Sequence, residues 1–158
     1  MRLVFVFAAC LLLAGCAATP TPIGVPPAPT PSATPRYGEA FTLRGGQEVR
    51  FLASPPTAPA GELLVRFVEV LSDERCPAQV ACAWAKPPVI ALEAGFAGRP
   101  PRRYTIAYAY NVNRVQFDGL AIEFIDLNPY PQQPDEFARV KPLATYIVTL
   151  RVTGARVE

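Results

Sequence analysis

Three runs in this chain place an apolar or aromatic residue at every second position: Tyr104-Ile106-Tyr108-Tyr110, Leu120-Ile122-Phe124 and Tyr146-Val148-Leu150-Val152. A period of two puts these side chains on one face of an extended strand and the smaller or more polar ones on the other. No stretch of residues 37–158 carries a capped 3.6-residue period. Strands must therefore bury their apolar faces against other strands. Residues 63–71 and 89–96 are two further apolar runs bounded by turn residues. Gly45-Gly46, between residues 42–44 and 48–52, predicts a hairpin, and Asp118-Gly119, between 114–117 and 120–127, predicts a second. The expectation is an all-β domain, an antiparallel Ig-like β-sandwich of seven or eight short strands. A closed β-barrel is the alternative, because it would use the same alternation. Either arrangement draws its core from Phe41, Val49, Phe51, Val65, Phe67, Ile90, Leu92, Ile106, Ile122, Phe124, Val148 and Leu150.

The segment ahead of this domain cannot join the core. Residues 17–36 contain seven prolines in twenty positions, mixed with Thr, Ala and Ser. Such a composition favours an extended, solvated spacer of about 3.1 Å per residue. Before it, Arg2 supplies a positive start, residues 3–13 are apolar, and Ala14-Gly15 leads into Cys16. This is the layout of a secretory signal, and its apolar run is shorter than the roughly 20 residues a membrane span needs. Leu13-Ala14-Gly15-Cys16 resembles the bacterial lipobox. That resemblance implies removal of residues 1–15, acylation of Cys16 and a 16–36 tether. It also implies a domain at 37–158 held through the lipid, on the outer side of the cytoplasmic membrane or in an outer membrane.

Charge and residue types exclude several activities. Lys and Arg number 15 against 13 Asp and Glu, and the two extra cations, Arg2 and Arg36, lie outside residues 37–158. A neutral domain has no long-range pull on nucleic acid. The chain contains no histidine, so Ser-His-Asp and Cys-His catalysis in their usual forms, and His-ligated metal sites, are not available. Ser32, Ser54 and Ser72 are the only serines, and no glycine-rich phosphate loop is present. No catalytic residue, cofactor or metal site is predicted. With Cys10 in the signal segment and Cys16 lipidated, Cys76 and Cys82 remain, and an exported pair forms a disulfide by default. It would close a short loop and stabilise by about 2–2.5 kcal/mol on the chain-entropy model.

That loop lies in the most individual segment of the domain, Asp73-Glu74-Arg75-Cys76-Pro77-Ala78-Gln79-Val80-Ala81-Cys82-Ala83-Trp84-Ala85. It resembles a D-x-R-C-P-x-x-V-x-C-x-W-A-G pattern of small, uncharacterised bacterial secreted proteins and lipoproteins, with Lys86 where that pattern has Gly. The resemblance implies a β-rich envelope domain and no assigned activity. Physically the segment reads as a structural corner built on Asp73, Arg75, Pro77 and Trp84. The indole of Trp84 is expected to cover the bridge and turn its N–H to a backbone carbonyl. Asp73 and Arg75 are expected to tie the loop to the strands by charge-assisted hydrogen bonds. Residues 128–142, with Pro129, Pro131 and Pro134, form a long loop between the last two strands. Tyr130 and Phe137 are its candidate binding residues, while Tyr104, Tyr108 and Tyr110 are expected to be core or half-buried. The sequence thus suggests a non-catalytic, membrane-anchored binding or structural module for an envelope protein, glycan or wall component. A protease inhibitor presenting its loops, and a thiol–disulfide protein at Cys76 and Cys82, are the alternatives.

Overall fold

Eight strands form in chain order: β1 (Ala40–Arg44), β2 (Glu48–Phe51), β3 (Leu63–Ser72), β4 (Val89–Phe96), β5 (Arg102–Ala107), β6 (Arg114–Phe117), β7 (Leu120–Asn128) and β8 (Ile147–Gly154). They belong to a computed structural model that describes residues 34–109 and 113–155. The signal segment, Cys16, residues 17–33 of the tether and Tyr110 lie outside the described residues. The strands make two four-stranded antiparallel sheets, ordered β1-β8-β7-β6 and β2-β3-β4-β5. This is the expected sandwich in its two-layered antiparallel build. Its connections run in sequence order, without the long return that makes a Greek key.

Strand neighbours thus follow one another around a ring that hydrogen bonding leaves open twice, between β1 and β2 and between β5 and β6. The closed barrel does not form. Aromatic side chains fill the two seams instead. Phe51 of β2 meets Phe41 of β1 at 5.3 Å between ring centroids and Tyr37 at 4.8 Å. Tyr104 of β5 meets Phe117 of β6 at 5.0 Å. Pairs of this kind add about 0.5–1.5 kcal/mol beyond the area they bury.

Alternation places the core as the sequence implies. Phe51, Val65, Phe67, Ile90, Leu92, Ile106, Ile122, Phe124, Val148 and Leu150 are buried between the sheets, and Leu63, Leu120, Leu127 and Tyr146 join them. Phe41 and Val49 lie on edge strands and are only partly buried against this core. Tyr104 is half-buried, whereas Tyr108, beyond the end of β5, is exposed and packs edge-on against Phe124 at 5.5 Å.

The two glycine turns behave differently. Asp118-Gly119 closes the β6–β7 hairpin with Phe117 opposite Leu120, and both turn residues have positive φ, 44° and 77°. These are the dihedral signs of a type I′ turn, which matches strand twist. Gly45-Gly46 does not close a hairpin: β1 pairs with β8 and β2 with β3. The Gly45 N–H donates to the Tyr146 carbonyl in one sheet, and the Gly46 N–H donates to the Phe67 carbonyl in the other. A side chain on Gly45 would collide with the backbone carbonyl of Leu143, so a corner this tight needs glycine. The sequence signal for a turn was correct, but the partners that the strands take are set by the core.

The sandwich has two distinct ends. The Gly38 N–H donates to the Val152 carbonyl as the chain comes in, and β8 finishes at the same end, where Ala155 donates to Gly119. The long connections at residues 73–88 and 129–146 lie at the other end. β7 has nine residues, so the ends are about 30 Å apart at roughly 3.4 Å per residue.

Gly119→Ala should destabilise the domain by at least about 1 kcal/mol, because it adds a Cβ at positive φ. That Cβ would also run into the Thr57 carbonyl. The change reads out as a lower urea midpoint at unchanged m-value. An unaltered midpoint would show that the turn relaxes freely.

Candidate functional site

At the end away from the incoming chain, two loops that are far apart in sequence are held together by one ion pair. Asp73 and Arg75 are the charged residues buried among the described residues. The Arg75 Nε and Nη2 donate to Asp73 Oδ1 and Oδ2, both at 2.7 Å, in a two-pronged pair. Arg75 Nη1 also donates to the Leu127 carbonyl, and Nη2 to the Pro129 carbonyl at 2.9 Å. The Tyr130 ring covers the guanidinium, with its centroid 4.9 Å from Cζ, in a cation–π contact. The Tyr146 hydroxyl donates to Asp73 Oδ2 at 3.3 Å, and burial raises its pKa above 10.0. The expected tie between loop and strands is present, and it is aimed at the 128–142 loop.

The surrounding chain is pinned at several further points. Pro77 and Pro131 are buried, and the Ala78 N–H donates to the Pro131 carbonyl. Cys76 and Cys82 are joined as expected, with Cα atoms 5.6 Å apart. At the loop exit, Lys86 N–H donates to the Glu74 carbonyl and its Nζ lies 3.0 Å from the Glu74 carboxylate. Trp84 departs from expectation. It is 81% exposed and makes no hydrogen bond among the described residues, so it does not cover the bridge. Asp73, Arg75, Pro77 and Tyr146 are the buried side chains here, and the Glu74–Lys86 contacts hold the loop exit with the indole outward.

The 128–142 loop is ordered by one carboxylate. Glu136 accepts from the backbone N–H of Gln132 and of Gln133 through Oε2, and from Lys141 Nζ through Oε1 at 2.6 Å. The Lys141 hydrogen bond, then the two backbone donors, hold the Glu136 pKa down at about 2 against an ordinary value of 4.5. The Lys141 N–H in turn donates to the Tyr146 hydroxyl at 3.1 Å. Tyr130 and Phe137, the residues singled out from the sequence, differ in role. Tyr130 spends one face on Arg75 and leaves the other side open, whereas Phe137 and its neighbour Val140 are partly exposed at the surface of the loop.

This arrangement can hold shape and present surface. The buried carboxylate of Asp73 is consumed by Arg75 and Tyr146, the two thiols are joined, and among the described residues no cluster of His, Cys, Asp or Glu could hold a metal ion. Sequence reasoning missed the part played by Tyr146, Glu136 and Lys141. The first reads simply as the start of an alternating strand, and the other two as surface charges. Comparisons with family models, with characterised proteins and with solved structures return no match.

Arg75→Met should cost about 3–5 kcal/mol in chemical denaturation, because it leaves the Asp73 carboxylate buried without its partner. Adding Asp73→Leu should return part of that loss, since it removes the buried carboxylate but still leaves the Leu127 and Pro129 carbonyls without the Arg75 donors. A single variant no less stable than wild type would show that Asp73 is not confined.

Acid should weaken the Glu136 staple in a defined window. A depressed carboxylate pKa contributes stability that is complete above the unfolded value, near 4.5, and is lost as pH falls through about 2. Between pH 5 and pH 2, Glu136→Gln should therefore lose less stability than wild type. Equal losses in urea titrations at the two pH values would count against the staple.

Proposed function

We propose that this chain is a lipid-tethered envelope protein that acts as a non-catalytic binding module. In this reading Cys16 carries the lipid and the proline-rich 16–36 segment is a spacer. The lipobox-like Leu13-Ala14-Gly15-Cys16 and the shared D-x-R-C-P-x-x-V-x-C-x-W-A pattern support placing it with small bacterial secreted proteins and lipoproteins.

The observation that carries the reading is the pair of loops that Arg75 staples together, which gathers exposed apolar side chains at one end of the domain. Trp84, Val80, Tyr130, Phe137 and Val140 are exposed on them. The cations Lys86, Arg139 and Lys141 each face a carboxylate, Glu74, Asp135 and Glu136 respectively. The tip is thus locally neutral, and a partner would be held by aromatic and aliphatic contacts, the usual anchors of an interface. Loops already fixed by a disulfide, an ion pair and a capped turn lose little entropy on binding. An envelope protein, glycan or wall component fits such a surface.

Two measurements in one strain test this. Wild-type protein should incorporate labelled fatty acid and sediment with membranes, and Cys16→Ala should do neither, since acyl chains supply about 0.8 kcal/mol per buried CH₂. A photoreactive benzoylphenylalanine at position 137 should trap an envelope component in living cells, and the same group at position 66 should trap none. Label retained by Cys16→Ala overturns the anchor. Equal trapping from both positions overturns the loop end as the working surface.

A further inference from the structure

Strand register sets rows of charge across the outer faces of both sheets, and the two rows are not alike. On the β2–β5 sheet, Glu48, Arg66, Glu93 and Arg103 lie opposite one another in turn. The signs alternate and cancel; Arg66 pairs with Glu93 at 4.0 Å, and Arg103 pairs with Glu69. Cross-strand pairs of this kind give an ordinary solvated face.

On the other sheet the row is Arg114, Glu123, Arg151, two cations against one carboxylate. Arg114 makes no ion pair among the described residues, and Arg151 reaches Glu123 through Nη1 alone, at 3.3 Å. The Arg151 Nε is buried and has no hydrogen-bond partner among the described residues. In the neighbouring row Gln116 and Thr153 flank Ala121. A small side chain between two longer ones leaves a hollow of about 560 Å³, lined by Arg114, Gln116, Ala121, Glu123, Arg151 and Thr153. That volume is within the range of about 300–1,000 Å³ typical of small-molecule sites.

A guanidinium binds a carboxylate through two of its N–H donors, and the exposed Arg114, unpaired among the described residues, offers such a fork to a ligand, whereas the Arg151 Nε is buried and Arg151 stays on Glu123. One carboxylate would also bring the row to neutrality. The Gln116 amide and the Thr153 hydroxyl offer hydrogen bonds to whatever carries it. We propose that the outer face of β6, β7 and β8 is a binding site for a monocarboxylate on a polar, hydroxyl- or amide-bearing scaffold, such as a carboxylated sugar. This site uses different residues from the loop end and does not depend on the lipid anchor.

The test compares two sugars that share one ring. N-acetylmuramic acid carries a lactyl carboxylate that N-acetylglucosamine lacks. Each is titrated into the ¹⁵N-labelled full chain in detergent, and the arginine side-chain Nε–H signals are followed by NMR. The Arg114 and Arg151 signals should move saturably with the acid and stay still with the neutral sugar. Arg114→Gln, a change on an exposed edge strand, should weaken the response about tenfold or more, the worth of one hydrogen bond to a charged group. Arg66→Gln, on the balanced row, should leave it unchanged. Equal responses to both sugars, a shift at Arg66 as large as at Arg114, or no shift at tens of millimolar acid would each overturn the proposal.

Discussion

The far end of the sandwich depends on a single guanidinium. Leu127 and Pro129 bring the chain off β7 into a segment that has proline at 129, 131 and 134, and a proline has no N–H to return to the ladder. Leu127, opposite Val148 of β8, and Pro129, just beyond β7, each turn a carbonyl to another donor, and an unpaired buried carbonyl costs about as much as a lost hydrogen bond. Arg75 supplies donors to both carbonyls from 52 and 54 residues away. Burying that cation is itself unfavourable unless it is paired, and Asp73 does so on the same strand exit, with Tyr146 on the remaining lone pairs. Each element at this end answers a cost created by another.

The rest of the molecule is organised by what it does not hydrogen-bond. Eight strands in sequence order around a ring would close into a barrel if each edge met its neighbour. Two edges do not; at one of them β1 passes to β2 through the corner at Gly45-Gly46, whose amides turn to opposite sides. The gap is then wide enough for Tyr37, Phe41 and Phe51, and at the other seam for Tyr104 and Phe117. Aromatic volume replaces backbone pairing and flattens the ring into two layers around one core.

Two surfaces follow from this frame, and they differ in chemistry. The loop end is rigid, locally charge-balanced and rich in exposed aromatic area. The face of β6, β7 and β8 is polar and, among the described residues, sets two cations, Arg114 and Arg151, against one carboxylate, Glu123, in one row. The first suits a large apolar contact, and the second suits a small anion, whose attraction weakens as salt screens it.

Sequence by itself determined the parts of this protein that depend on local periodicity. Alternation at residues 104–106, 120–124 and 148–152 marks strands and their inward faces, because the pleat repeats every two residues whatever the partner, whereas the run beyond residue 106 leaves the strand with Tyr108 exposed. Asp118-Gly119 marks its hairpin, because two adjacent positive φ values suit few residue pairs. The Cys76–Cys82 bridge was legible, since it joins residues within one short segment, and so was the use of Asp73 and Arg75 to tie the loop to the strands, but not their pairing with each other. Tertiary structure alone decided the relations between segments. It sent β1 and β2 into different sheets, turned Trp84 outward, and brought Tyr146 to Asp73 across 73 residues. It also set Arg114, Glu123 and Arg151 in one row, since register across three strands is fixed by how the buried faces interlock and not by any one strand.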